Sequence, residues 1–203
     1  MSEILGDLVL ATYRAAGRLA APLIDLALRR REAAGKEDPE RRGERRGRAS
    51  LARPHGSLVW VHAASVGEML AALALVERLT ATGAAVLVTT GTVTSAEIAA
   101  GRLPAGARHQ YVPADIPGWV GRFLDHWRPD LAVFVESEIW PATIQALASR
   151  GIPQVLVNAR VSERSARRWS RLDGRPRALF GRLSAALAQS AADGDRLRRL
   201  GVP

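Results

Sequence analysis

From Ser57 onward the chain alternates short apolar runs with amphipathic stretches. Leu58-Val59-Trp60-Val61 is continuously apolar, the pattern of a strand buried on both faces. After Ser65-Val66-Gly67, the apolar positions Met69, Ala72, Leu73, Val76 and Leu79 recur at helical spacing, and Gly83 ends the pattern. Ala85-Val86-Leu87-Val88 predicts a second strand, and Thr94-Ser95 opens a short helix. Residues 109–112 make a weaker strand. Asp115 is placed to cap a helix opened by Pro117, with Val120, Phe123, Leu124 and Trp127 on one face. Leu131–Val135 predicts a fourth strand, followed by a helix from about Glu138 with Pro141 in its first turn. Val155-Leu156-Val157 is a fifth strand. An arginine-rich helical stretch, a strand near 185–188 and a helix near 193–200 close the chain.

Strands and helices alternating at this spacing predict an α/β fold, a doubly wound parallel sheet with right-handed crossovers. Ligands of such sheets bind beyond the carboxyl ends of the strands. That rule selects Ser65 to Glu68, Thr89 to Thr92, Pro113 to Asp115, Glu136 to Glu138 and Asn158 to Arg160, which are small, polar or acidic where the strand bodies are apolar.

The first 56 residues follow a different pattern. Residues 4–28 are long enough to cross a bilayer, but they contain Asp7, Arg14, Arg18 and Asp25, and Pro22 interrupts them. Residues 1–30 are therefore expected to form an amphipathic helix lying in a membrane interface, with Arg29 to Arg31 against anionic headgroups. An ordinary helix capping the domain remains the alternative. Residues 31–56 are polar and aperiodic and are expected to be a basic linker, leaving residues 57–203 as the domain.

Composition narrows the chemistry. A length of 203 residues suits one α/β domain with a small appendage. The absence of cysteine removes disulfides, thiolate nucleophiles and thiolate metal sites. The four histidines are too scattered for a zinc pair, so no metal is expected. The formal net charge of +9, carried almost wholly by arginine, predicts an anionic partner: nucleic acid, anionic lipid or a phosphorylated substrate. The basic residues cluster in 29–48, in 160–182 and in Arg196, Arg198 and Arg199, around a nearly neutral core. Nucleic acid is disfavoured, since ten aromatic residues at mostly core spacing and no recognition motif give it no platform.

The GxGxxG, GxxxxGK[ST] and GxSxG signatures are all absent, which removes the main support for dinucleotide, P-loop and serine-hydrolase chemistry. Three rim carboxylates remain: Glu68, Glu136 and Glu138. Glu68, at a helix N-terminus, serves either as a plain helix stabiliser or as a general base. Glu136, following five apolar residues, needs a partner, for which Arg160 is a candidate. His62 reads as a structural group at a strand end.

The runs Trp60 to Glu68 (WVHAASVGE), Tyr111 to Pro117 (YVPADIP) with Arg122-Phe123-Leu124, Glu136 to Pro141 (ESEIWP) and Val157 to Ser165 (VNARVSERS) together resemble the 3-deoxy-D-manno-octulosonic acid (Kdo) transferases. The resemblance implies the N-terminal, acceptor-side, Rossmann-like domain of a GT-B glycosyltransferase. Such an enzyme moves Kdo from CMP-Kdo to a lipid A precursor on the cytoplasmic face of a Gram-negative inner membrane, inverting the anomeric centre with no cofactor and no metal. Glu68 matches the family's general base and Glu136 its transition-state stabiliser. Ser65, Gly67, Thr90, Gly91 and Arg160 are then the rim candidates for holding the acceptor. The chain closes at Gly201-Val202-Pro203, before the family's Gly-x-Leu-Lys motif, so the donor-binding domain is expected to be absent and this polypeptide inactive by itself. Glu68 is expected to project into an open, wettable hollow. The competing expectation is a non-catalytic peripheral domain that binds anionic lipid.

Overall fold

The computed structural model describes residues 2–136, 139–170 and 175–203. Six strands form one fully parallel sheet: β1 (Leu58–His62), β2 (Ala85–Thr90), β3 (Ala107–Tyr111), β4 (Leu131–Val135), β5 (Gln154–Ala159) and β6 (Ala185–Ala188), in the order β3-β2-β1-β4-β5-β6. The helices are α1 (Ser2–Ala33), α2 (Arg42–Arg45), α3 (Val66–Ala81), α4 (Val93–Arg102), α5 (Pro117–Trp127), α6 (Pro141–Ala148), α7 (Glu163–Ser170), α8 (Arg175–Phe180) and α9 (Ala191–Leu200). The strand order reverses between β1 and β4, the switch point at which a doubly wound sheet opens a crevice.

The two-residue period of a strand sorts the core into two layers. Leu58 and Trp60 of β1 join Phe123, Trp127, Phe134 and Leu147 on one side of the sheet. Val59 and Val61 join Met69, Val76, Val86 and Val88 under α3 and α4 on the other. Trp60 packs on Phe123 and Phe134 at centroid distances of 4.7 and 5.3 Å. Each large side chain buried in this way contributes roughly 1.5–3 kcal/mol relative to exposure.

Three sequence expectations change here. The segment 31–56 contains α2 and is tied to the edge of the sheet. Glu44, 1% exposed, accepts from Arg41, from Ser50 and from the Tyr111 amide. Arg41 and Arg45 donate to the carbonyls of His109 and Val112. These side chains satisfy the open hydrogen-bonding edge of β3, where an unpaired strand would otherwise template association. Gly47 (φ +74) lets this segment press on α5, where a Cβ would fall 1.9 Å from the Trp119 carbonyl oxygen. Charge density without apolar periodicity reads as a linker, but paired charges against a strand edge make ordered structure.

Second, Asp115 does not cap α5, whose N-cap residue is Ile116. Its carboxylate instead accepts from the amides of Ala142 and Thr143 at the start of α6. Third, α6 begins at Pro141 rather than near Glu138. Helix α1 is longer than predicted, continues through Pro22, and packs against α5, α6 and α8. No helix among the described residues is long and apolar enough to cross a membrane.

Candidate functional site

The loop after β1 opens at the switch point. Ser65, in extended conformation, is the N-cap of α3, and its hydroxyl accepts from the Glu68 amide at 3.3 Å. The Glu68 carboxylate turns back on the same loop: Oε1 accepts from the Ser65 hydroxyl and Oε2 from the Ala64 amide, both at 2.8 Å. This is a reciprocal N-terminal cap, and it holds the side chain in one place. The residue is only 9% exposed, so among the described residues Glu68 is shielded and does not project into the open hollow expected around it. No guanidinium pairs with it among the described residues, and two of the four acceptor positions of an ionised carboxylate remain unused by these bonds.

Gly67, exposed in the first turn of α3, would meet nothing with a Cβ, so the first turn leaves space in front of the cap. Gly91 has a different reason. Its amide donates to the Ala64 carbonyl at 3.2 Å, and a Cβ there would fall 3.1 Å from that oxygen, so a side chain would push the β2 loop and the β1 loop apart by a few tenths of an ångström.

Thr90 is fully buried and cannot reach an acceptor. Arg41 donates to His109 Nδ1 at 3.0 Å, which assigns the proton to Nε2, and Nε2 donates to Thr90 Oγ1 at 2.9 Å. Burial first, and the Arg41 charge second, push the His109 pKa down from 6.5 to about 4. An unfolded chain binds a proton near 6.5 while the folded protein does not until about 4, so acidification across that window favours unfolding. Thermal melts should lose on the order of 1–3 kcal/mol of stability over this range, and His109→Gln should flatten that slope.

Glu136 lies at the carboxyl end of β4. β1 and β4 are adjacent and parallel, with His62 opposite Phe134, so the segments that follow them, one leading to Glu68 and the other to Glu136, leave the sheet at the same end from neighbouring strands. Glu136 has a left-handed backbone (φ +62), and Asn158 on the neighbouring strand is left-handed too (φ +52). Asparagine tolerates that region, whereas glutamate gains nothing locally and bears about 1–2 kcal/mol of strain. The Glu136 amide donates to the Val157 carbonyl at 2.9 Å, which pins one side of the strained residue. Strain of this kind clusters at functional sites. The pairing of Glu136 with Arg160 expected from the sequence is not found among the described residues. Ser137 and Glu138 lie outside the described residues.

Arg160, exposed, enters instead into a cleft of about 450 Å³ beside this loop, walled by Ile139, Val161, Trp169 and Phe180 and edged by Ser162 and Ser165. Trp169 meets Phe180 edge-on at 5.3 Å. Neither Glu68 nor Glu136 lines it. Arg164, Arg167 and Arg168 add exposed positive charge along α7. The sequence did not reveal the cleft, because its aromatic wall joins residues of two helices beyond β5. His62 is buried, bonded through Nδ1 to Thr89 and set against Trp140 at 6.2 Å, a structural post as expected. No cluster of three or more His, Asp or Glu able to hold a metal ion occurs among the described residues.

Residues 40–203 match the family model described as 3-deoxy-D-manno-octulosonic-acid transferase (kdotransferase). The chain belongs to the Kdo transferase family. It is similar to a probable mitochondrial Kdo transferase of Arabidopsis thaliana, 41% identical over 82% of this chain and 38% of that protein. It is also similar to the Kdo transferase of Rickettsia bellii, 38% identical over 83% of this chain and 40% of that protein. Among solved structures, the glycosyltransferase VinC in complex with dTDP aligns with a TM-score of 0.38 and 22% identity, over 73% of this chain and 34% of that one. The chain thus spans about two-fifths of the length of these Kdo transferases. The match to the family begins inside the segment 31–56 and includes Glu44, so the Kdo transferase unit takes in the covered β3 edge as well as the sheet.

Proposed function

We propose that this chain is the acceptor-side half of an inverting glycosyltransferase that moves Kdo from CMP-Kdo to a lipid A precursor. The observation that carries the reading is the placement of Glu68 and Glu136 just beyond the carboxyl ends of the neighbouring strands β1 and β4, at the switch point of the sheet. In the proposed step, a hydroxyl of the acceptor attacks the anomeric carbon of Kdo while Glu68 takes its proton. The bond from that carbon to the CMP phosphate breaks, and CMP leaves with the electron pair as an anion that needs no protonation. The carboxylate of Glu136 opposes the positive charge that builds on the sugar ring. Ser65, at the cap, and Gly67, by leaving space, shape the acceptor's approach, and Arg160 supplies a guanidinium for its phosphate. The reaction needs no metal and no cofactor of the protein. The donor is held by the part of the family's length that this chain does not match.

The reaction is placed at the cytoplasmic face of the inner membrane, and helix α1 supports the contact with a membrane surface that this placement needs. Leu19, Leu23 and Leu26 are 82%, 70% and 46% exposed and share one helical face, while Arg29 and Arg30 follow in the next turn. Because the opposite face packs on the domain, α1 lies along the membrane surface with the domain above it. Replacing Leu19 and Leu23 together by Asp should lower partitioning onto anionic vesicles by at least about tenfold, read by co-sedimentation, with the melting temperature unchanged.

The same leucines also favour the second reading, a peripheral lipid-binding domain without chemistry. Mass spectrometry of the lipid after incubation of the full-length protein with CMP-Kdo separates the two. Transfer adds one Kdo mass or more to the precursor, whereas a lipid-binding domain returns it unchanged.

A further inference from the structure

Asp115 belongs to the YVPADIP run but has no part in the chemistry above, and its surroundings are unusual for a loop carboxylate. Four donors converge on it. Oδ1 accepts from the Thr143 amide at 2.8 Å and from the Thr143 hydroxyl at 2.7 Å. Oδ2 accepts from the Ala142 amide at 2.9 Å and from the Tyr13 hydroxyl of α1 at 3.1 Å. Helix α6 has no cap of its own: Trp140, its N-cap residue, makes no side-chain capping bond, and Pro141 has no amide hydrogen. A carboxylate remote in sequence therefore supplies the whole N-terminal cap of α6.

Position turns this cap into more than a helix stabiliser. The start of α6 is close to the site along the chain, since its N-cap residue Trp140 stands four residues beyond Glu136. A left-handed glutamate persists only where the structure holds the chain on both sides of it. On the amino side, the Glu136 amide is bonded to the Val157 carbonyl of β5. On the carboxyl side, the fixed points are Trp140, set against His62 of β1, and the Ala142 and Thr143 amides gripped by Asp115. Loss of that grip removes the firmer of the two anchors on the carboxyl side, so residue 136 relaxes toward an ordinary backbone, which carries its carboxylate away from the reacting centre.

We propose that Asp115 is a positioning residue of the active site, which holds Glu136 in its strained, productive conformation by capping α6 from outside. Tyr13 brings α1 onto the same carboxylate, so the helix that meets the membrane and the loop that carries Glu136 share one anchor. This inference rests on the assignment of Glu136 to the transition state.

The test is a double-mutant cycle in the full-length transferase, with initial rates measured well below the melting temperature of each variant. Asp115→Asn keeps the shape but places an amide group against donor groups. It should lower kcat by about 10- to 30-fold with the KM for CMP-Kdo within about threefold of the parent. In a Glu136→Gln background the same substitution should lower kcat by less than about twofold, because the group it positions is already disabled. A purely structural role predicts the same factor in both backgrounds, and that result overturns the proposal. So does an unchanged kcat for Asp115→Asn when Glu136→Gln is slow. If Glu136→Gln itself is fully active, the assignment of Glu136 fails and this inference falls with it. Thr143→Val removes a single donor and repeats the cycle should Asp115→Asn not fold. A loss of about two- to fourfold that vanishes in the Glu136→Gln background supports the proposal, and an equal loss in both backgrounds overturns it.

Discussion

Glu68→Gln in the full-length transferase is expected to lower kcat by about 10²- to 10⁴-fold, the range for removal of a general base. The same substitution should leave stability within about 1 kcal/mol of the parent, because glutamine also serves at the third position of a reciprocal helix cap. Its carbonyl oxygen can accept from the Ala64 amide, and its amide group can donate to the Ser65 hydroxyl, so both contacts of the carboxylate are kept, the second with donor and acceptor exchanged. Stability and rate thus separate. If Glu68 were only the cap of α3, the glutamine variant would work as the parent does. Rates and melting curves on the same preparation read both quantities. Ser65→Ala supplies the contrast, weakening the cap by about 1 kcal/mol without removing the base.

The second large effect concerns stability. Glu44→Ala should destabilise the domain by about 3–5 kcal/mol, as measured by urea denaturation. The carboxylate is buried and answers donors from three directions: Arg41, Ser50 and the Tyr111 amide. Removing it leaves the half-buried Arg41 guanidinium without its carboxylate and the edge amide of β3 without an acceptor. Arg41 also lies over the Tyr111 ring at 4.6 Å and donates to His109, so the loss propagates to the part-buried His109–Thr90 pair. A residue in a true linker would change stability by less than about 0.5 kcal/mol.

The sheet was legible because the strand bodies other than that of β3 hold apolar runs and the helices α3, α5 and α6 keep an apolar stripe. The predicted strand near 109–112 lies two residues from the observed β3, whose sequence Ala107-Arg108-His109-Gln110-Tyr111 has the least apolar pattern of the six. What escaped the sequence depended on contacts distant along the chain. Asp115 stands one residue before the N-cap of α5 and reads as its cap, yet its partners lie 27 and 28 residues away. The charges of 31–56 read as solvated because nothing local reveals that Glu44 meets an amide 67 residues on. Thr90 was selected as a rim residue by its place at a strand end, but His109 of the neighbouring strand draws its hydroxyl inward. Gly91 was selected by its place after a strand, and its close approach to the Ala64 carbonyl could not be read from the sequence. Glu68 was legible as a candidate from its position, and its shielding by the Ala64–Ser65 turn was not, since a cap and a base occupy the same place in a sequence.

The central claim is that the acceptor hydroxyl meets the side chain of residue 68. The most direct measurement is a crystal structure of the full-length Glu68→Gln variant with CMP-Kdo and the lipid A precursor bound. The attacking hydroxyl oxygen should lie about 2.6–3.2 Å from the side-chain oxygen at position 68, on the side away from the Ala64 amide. A hydroxyl seated beyond hydrogen-bonding reach of that oxygen, with another carboxylate or histidine against it, would contradict the account.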